Sequence, residues 1–196
     1  MLPKLILETK PITVLIAGIA VFAISLFLSS ESIAQKFPKL DISPMDAATY
    51  PNNWREADKL VKVVYSRPQL KGRSLDKLAP KEKVWRTGAN EAPEITFYKD
   101  VTFGDRKIKS GTYTLFTIPT DGEWTVILSN QKNVWGSYFY DKAQDVARVY
   151  GKVSKSKETI EAFSIVFNDE EDAVKMHLGW GDTVVSVPLD TEKTEE

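Results

Sequence analysis

The chain contains no cysteine among its 196 residues. That absence excludes a disulfide framework, a thiolate metal site, a cysteine nucleophile and a lipid-modified lipoprotein cysteine. There is a single histidine, His177, so a multi-histidine metal centre is excluded as well. No G-x-S-x-G elbow accompanies it, and Ser-His-Asp chemistry therefore lacks its usual sequence frame. With apolar neighbours Met176 and Leu178 on a strand, His177 reads as a satisfied or solvent-facing structural residue. Charge of one sign is not in excess either. Lys and Arg total 26, Asp and Glu total 27, and the formal net charge is -1. This balance provides no electrostatic case for nucleic acid as a partner. The acidic run Asp169 to Asp172 lacks the alternating ligand spacing and glycine of a calcium loop and reads as a solvated turn. Neither a metal nor a cofactor is expected.

One long apolar run is present. It extends from Ile12 to Leu28, interrupted by Thr13, Gly18 and Ser25, behind a head carrying Lys4, Glu8 and Lys10. Ser32 and Ala34 match the small-residue pattern read by signal peptidase, so cleavage after Ala34 is expected. At roughly 17 residues the run also reaches the short limit of a membrane-spanning helix. Two readings of residues 1–34 follow, a cleaved signal peptide or a retained anchor, and both place the remainder in the periplasm or cell envelope. Membrane contact is expected only through residues 1–34, and only if they are kept.

Residues 35–58 carry Pro38, Pro44 and Pro51 with little periodicity and read as an extended lead-in or edge segment. Within them, Trp54 to Leu60 suggests at most one helical turn. Residues 59–190 are strand-like. Val63-Val64-Tyr65 is stopped by Pro68, and Ile95 to Tyr98 and Val101 to Phe103 are short runs. Gly104-Asp105 marks a hairpin turn. Gly111 to Ile118, turned by Asp121-Gly122 and returned by Trp124 to Leu128, is the clearest hairpin. Val146 to Val153, Ile160 to Phe167, Ala173 to Leu178 and Val184 to Leu189 complete the pattern. Trp135 to Asp145 reads equally as a helix or a long loop. Residues 191–196 read as a frayed tail. The expected fold is all-β, an antiparallel β-sandwich or jelly roll preceded by an N-terminal apolar export helix. Trp54, Trp85, Trp124 and Trp180 are expected in its core.

Polar residues are concentrated at Ser66, Arg67 and Arg73 and again at Arg86, Asn90 and Glu91. Guanidinium forks grip carboxylate, phosphate or sulfate, and Asn and Glu orient hydroxyl or amine groups. The same residues could instead form an arginine–carboxylate network that pins a long loop to the sheet. Both readings stay open. The first predicts a non-catalytic site for a small polar or anionic ligand or a glycan. An enzymatic alternative pairs Glu91 with Asp141 as the carboxylates of a glycan-acting hydrolase. The aromatic stretch Trp135 to Tyr140 suits either sugar stacking or plugging of one end of the core.

Several of these segments occur in a familiar order: Ser66-Arg67-Pro68 with Lys71-Gly72-Arg73, Trp85 to Glu91 (WRTGANE), Gly111-Thr112-Tyr113, Trp135-Gly136 and Asp145 to Arg148. In this the chain resembles the bacterial exported family catalogued as domain of unknown function 2911. The likeness runs from about Pro38 to Pro188 and departs at Ala147, where leucine is more frequent, and in the placing of Asn130. It implies domain extent and export, and no activity.

Overall fold

The computed structural model describes residues 35–170 and 173–191. The segment 1–34 and the tail beyond Thr191 lie outside the described residues, as do Glu171 and Asp172 of the acidic run. The chain divides into two units, Met1–Lys39 and Leu40–Glu196. Of the first, residues 35–39 are exposed and have no regular structure. All regular structure described belongs to the second.

Nine strands form one antiparallel sheet: β1 (Met45–Tyr50), β2 (Val61–Ser66), β3 (Glu94–Phe97), β4 (Val101–Phe103), β5 (Arg106–Ile108), β6 (Gly111–Ile118), β7 (Glu123–Ser129), β8 (Asp145–Glu170) and β9 (Ala173–Thr191). Their order across the sheet is β1-β2-β3-β6-β7-β8-β9-β4-β5. The described helix is one four-residue turn, α1 (Leu75–Leu78), and a 3-10 turn at Lys142–Gln144. The stretch from Trp135 is therefore mainly loop, and Trp54 to Leu60 forms no helix.

Alternation along each strand sends one set of side chains inward. Val61, Val63 and Tyr65 of β2, Tyr113 and Leu115 of β6, and Trp124, Val126 and Leu128 of β7 join a single buried cluster. Among the described residues no helix is large enough to cover that face, and the sheet covers itself. The long β8–β9 hairpin does this by bending. Its register shifts between Lys155 and Ile160 and again between Ile160 and Ser164. On β9 the inward set changes from Met176, Leu178 and Trp180 to Val185, Val187 and Leu189. That change of parity occurs across Gly181, which has φ +64°. An extra residue at a bulge flips every later side chain, so both arms of the bent strand keep their apolar residues inside. The sequence suggests four separate strands here because polar residues fill the bend at Ser154 to Thr159; the structure runs them together as two.

The bend carries the far half of β8 back to the end of β2. Gln69 bridges Ala162. The Phe163 N–H donates to Pro68 O at 2.9 Å, and the Leu70 N–H to Glu161 O at 3.0 Å. Behind this closure lies an aromatic cluster. Trp85 stacks on Trp180 with centroids 5.4 Å apart and meets Phe163 edge-on at 5.2 Å and Trp124 at 6.2 Å. Three of the four expected core tryptophans are thus buried. Trp54 is the exception, at 84% exposed. It sits in the β1–β2 loop with the Arg55 guanidinium 4.9 Å above its ring, a pairing that tolerates water. A smaller cluster of Ala92, Phe116, Ile127 and Val134 lies on the opposite face of β6 and β7, covered by Val84 and Tyr140.

Candidate functional site

The segment Trp85 to Ala92 is paired along both sides. Trp85 exchanges both backbone hydrogen bonds with Thr117 of β6, at 2.7 and 3.0 Å. On the other side the Gly136 N–H donates to Asn90 O at 2.9 Å, the Ala92 N–H to Val134 O at 2.8 Å, and Glu91 bridges Trp135. Between these anchors the chain turns sharply. Thr87 has φ +58° and Asn90 φ +60°. Asn visits that region readily; a β-branched threonine does so only under constraint. Thr87 is fully buried, and its hydroxyl lies 3.1 Å from that of Thr117. Gly88 has a different reason to be glycine: a Cβ there would lie 3.1 Å from Ser66 O. Close backbone approach therefore brings the end of β2 against this loop.

Of the expected residues, the structure brings together Ser66, Asn90 and Glu91. They line a cleft of about 190 Å³ with Asp41, Ser43, Met45 and Trp135. Arg67 and Arg73 are directed elsewhere. Arg67 donates from Nε to Phe163 O at 3.0 Å, from Nη2 to Ser164 Oγ at 2.7 Å, and from Nη1 to Asp46 Oδ2 at 3.0 Å. Arg73 donates to the carbonyls of Leu70 at 2.8 Å and Gln69 at 2.7 Å. Both arginines hold the β2–β8 closure. Neither pairs with Glu91; the carboxylate in this network is Asp46, and the remaining acceptors are backbone carbonyls and the Ser164 hydroxyl. Asp141, the other carboxylate considered, accepts from the Ala143 N–H at 2.9 Å and caps the 3-10 turn. The carboxylate that lines Glu91's cleft is Asp41.

Arg86 differs from the other two. It is half-buried, and its Nε is buried with no hydrogen-bond partner among the described residues. No ion pair reaches it either. Burial lowers its pKa from the ordinary arginine value, opposed only by the nearby Tyr138 phenol. An uncompensated guanidinium in such a place is ready to accept an anion.

Sequence reasoning missed a second polar group. Tyr140 OH donates to Asp145 Oδ2 at 2.6 Å, and Arg148 donates to the same oxygen at 2.7 Å and to Tyr140 OH at 2.5 Å. On a regular strand, residues three apart face opposite sides. Here Leu128 pairs with Ala147 while Ser129 pairs with Asp145, so Val146 is bulged out and Asp145 and Arg148 share a face. The sole trace in the sequence is the motif Asp145 to Arg148 itself. The Tyr140 ring meets Phe116 edge-on at 5.1 Å, which fixes this triad over the smaller core cluster. Burial, and then Asp145, push the Tyr140 phenol up to about 12. Tyr50 is likewise pushed up to about 12, first by its 2.5 Å hydrogen bond to Asp169 and then by burial. Folding favours the neutral phenol in both cases. Their contribution is therefore complete below the unfolded pKa near 10 and is lost as pH rises toward 12. A melting series across that alkaline window should fall less steeply for a Tyr50→Phe/Tyr140→Phe double variant than for the parent. Equal slopes would remove these phenols from the account.

His177 lies away from this region. Its Nδ1 is 2.8 Å from Ser186 Oγ, and its Nε2 is 3.1 Å from Glu170 Oε1, at ion-pair distance without hydrogen-bond alignment. Burial lowers its pKa more than Glu170 raises it. A larger cleft, about 330 Å³, opens at the β6–β7 turn above Trp124. Its rim charges are already paired, Lys81 with Asp121 and Lys155 with Asp182. Among the described residues no group of three His, Asp or Glu side chains is placed to hold a metal ion.

Comparison with known proteins yields one match. The family described as "Protein of unknown function (DUF2911)" matches residues 43–189. That span includes the closure, the Trp85 to Glu91 loop and the triad on β8. No curated protein and no solved structure matches the chain.

Proposed function

The chain belongs to the DUF2911 family of proteins of unknown function, and we propose that it is an exported, non-catalytic envelope protein that binds a small anionic or polar ligand at Arg86. In this reading the self-covering sheet is a β-sandwich, and the Trp85 to Glu91 loop is its binding element. The observation that carries it is the unpaired, half-buried guanidinium. Removing water from a charge without supplying a partner is unfavourable, and such arrangements are concentrated at sites whose ligand supplies the missing contact. Asn90 and Glu91 sit on the same paired segment as Arg86, and with Ser66 at the end of β2 they line one cleft and serve as orienting groups. The carboxylate-pair hydrolase reading has less support, because Asp141 is occupied in capping its own turn.

Thermal shift and titration calorimetry with phosphate, sulfate and a series of carboxylates test the proposal. A binding anion at about 100 times its Kd should stabilise the parent by about 2.7 kcal/mol. Arg86→Gln should lose that response while keeping the unliganded melting temperature or raising it. An Arg86→Gln protein that responds like the parent, or a parent that responds to none of these anions, overturns the assignment.

A further inference from the structure

Three exposed aromatic side chains follow one another closely in the loop after β7, whose Trp135 meets the segment by which the chain enters the second unit. Trp135 is 57% exposed, Tyr138 79% and Phe139 76%. Tyr138 packs over Gly136, where an added Cβ would lie 2.7 Å from its ring. Trp135 lines one cleft with Asp41, Ser43 and Met45. Met45 is itself exposed, as are Leu40 and Ile42, which alternate with the cleft residues along the entry segment. The exposed groups of the entry segment and of the loop after β7 thus meet at this cleft, through Met45 and Trp135. Contiguous apolar surface of this kind marks an interaction face.

We propose that, with residues 1–34 retained as an anchor, this patch rests on the surface of the lipid bilayer that the chain's own N-terminal apolar run enters. Three features favour lipid as the occupant. The run Ile12 to Leu28 ends twelve residues before Leu40. A chain of that length reaches at most about 40 Å even when fully extended. The connecting stretch carries Lys36 and Lys39, suited to anionic headgroups. The patch itself is rich in Trp and Tyr, whose rings combine an apolar body with a polar tip and collect at the membrane–water boundary. This inference goes beyond the anion site; Trp135 lines the Asn90–Glu91 cleft and Tyr138 lies near Arg86, and bilayer contact is read at position 139 with no anion added.

The absence of cysteine makes the test clean. A single Phe139→Cys substitution in the full-length chain accepts a polarity-sensitive fluorophore. Gly122→Cys serves as the reference. It lies at the turn remote from the patch, at the other end of β7, and a side chain there meets nothing within 4 Å. Both labelled proteins are reconstituted into vesicles of phosphatidylethanolamine and phosphatidylglycerol. The expected result is a blue-shifted emission and several-fold weaker iodide quenching at position 139, with position 122 unchanged from its value in detergent-free buffer. Emission at 139 that stays aqueous in vesicles overturns the proposal, because the unit would then float on its tether. Equal shifts at both positions also overturn it, since burial would not be confined to the patch. Trp135→Ser with Tyr138→Ser should reverse the shift at 139, with near-ultraviolet circular dichroism confirming an intact core. Persistence of the shift in that folded variant counts against the patch as its cause.

Discussion

Trp85→Ala is expected to lower folding stability by roughly 3–5 kcal/mol. Trp85 is buried and makes a stacked contact with Trp180 and edge contacts with Trp124 and Phe163. These partners come from β9, β7 and the far arm of β8, so one ring ties the loop to β7 and to the far arm of the bent hairpin. Truncation removes the apolar transfer term and leaves a cavity among rigid rings that cannot collapse into it. The neighbouring residue is Arg86, and the loop's pairing with Thr117 runs through the Trp85 backbone. The same variant should therefore weaken anion binding indirectly. Urea unfolding followed by circular dichroism measures the first effect. A loss below about 1 kcal/mol would mean the cluster is not the centre of the fold.

Arg67→Ala is expected to cost about 2–3 kcal/mol, with Arg67→Lys recovering little of it. The side chain serves three acceptors on two elements: Phe163 O and Ser164 Oγ of β8, and Asp46 of β1. The Asp46 pair is partly exposed and contributes modestly. The larger share comes from the β8 contacts, where loss of the donor leaves a carbonyl at the closure unsatisfied. A lysine ammonium lacks the planar fork that reaches all three at once. Unfolding midpoints for Arg67→Ala, Arg67→Lys and Arg86→Gln form the informative set. If Arg67 and Arg86 variants lose similar stability, both arginines are structural and the distinction drawn between them fails.

That contrast bears on how much of the site was legible in the sequence. Concentration of Ser66, Arg67, Arg73, Arg86, Asn90 and Glu91 singled out two segments that Gly88 brings into contact at Ser66. It did not separate the arginines. Their roles depend on which backbone carbonyls the closure leaves within reach, and that follows from the bend in β8, where polar residues resemble an ordinary turn. The Tyr140–Asp145–Arg148 triad was hidden for a related reason. A bulge at Val146 reverses the facing that strand periodicity would assign to Arg148.

Sequence alone determined the class of fold and the chemistry that is missing. Alternating apolar residues with turn signals at Gly104-Asp105 and Asp121-Gly122 require antiparallel strands, because a period of two buries one face only in that conformation. One histidine and no cysteine remove multi-histidine and thiolate chemistry whatever the fold. Tertiary structure decided how that face is covered and which polar groups are left unpaired. Those outcomes depend on non-local register: bulges in β8 and β9 bring Phe163 to Trp85 and the Phe163 carbonyl to Arg67, and leave Arg86 with no partner among the described residues. The closure that results joins Gln69 to Ala162 and Arg67 to Phe163, the latter 96 positions apart, and no local pattern encodes such a pairing.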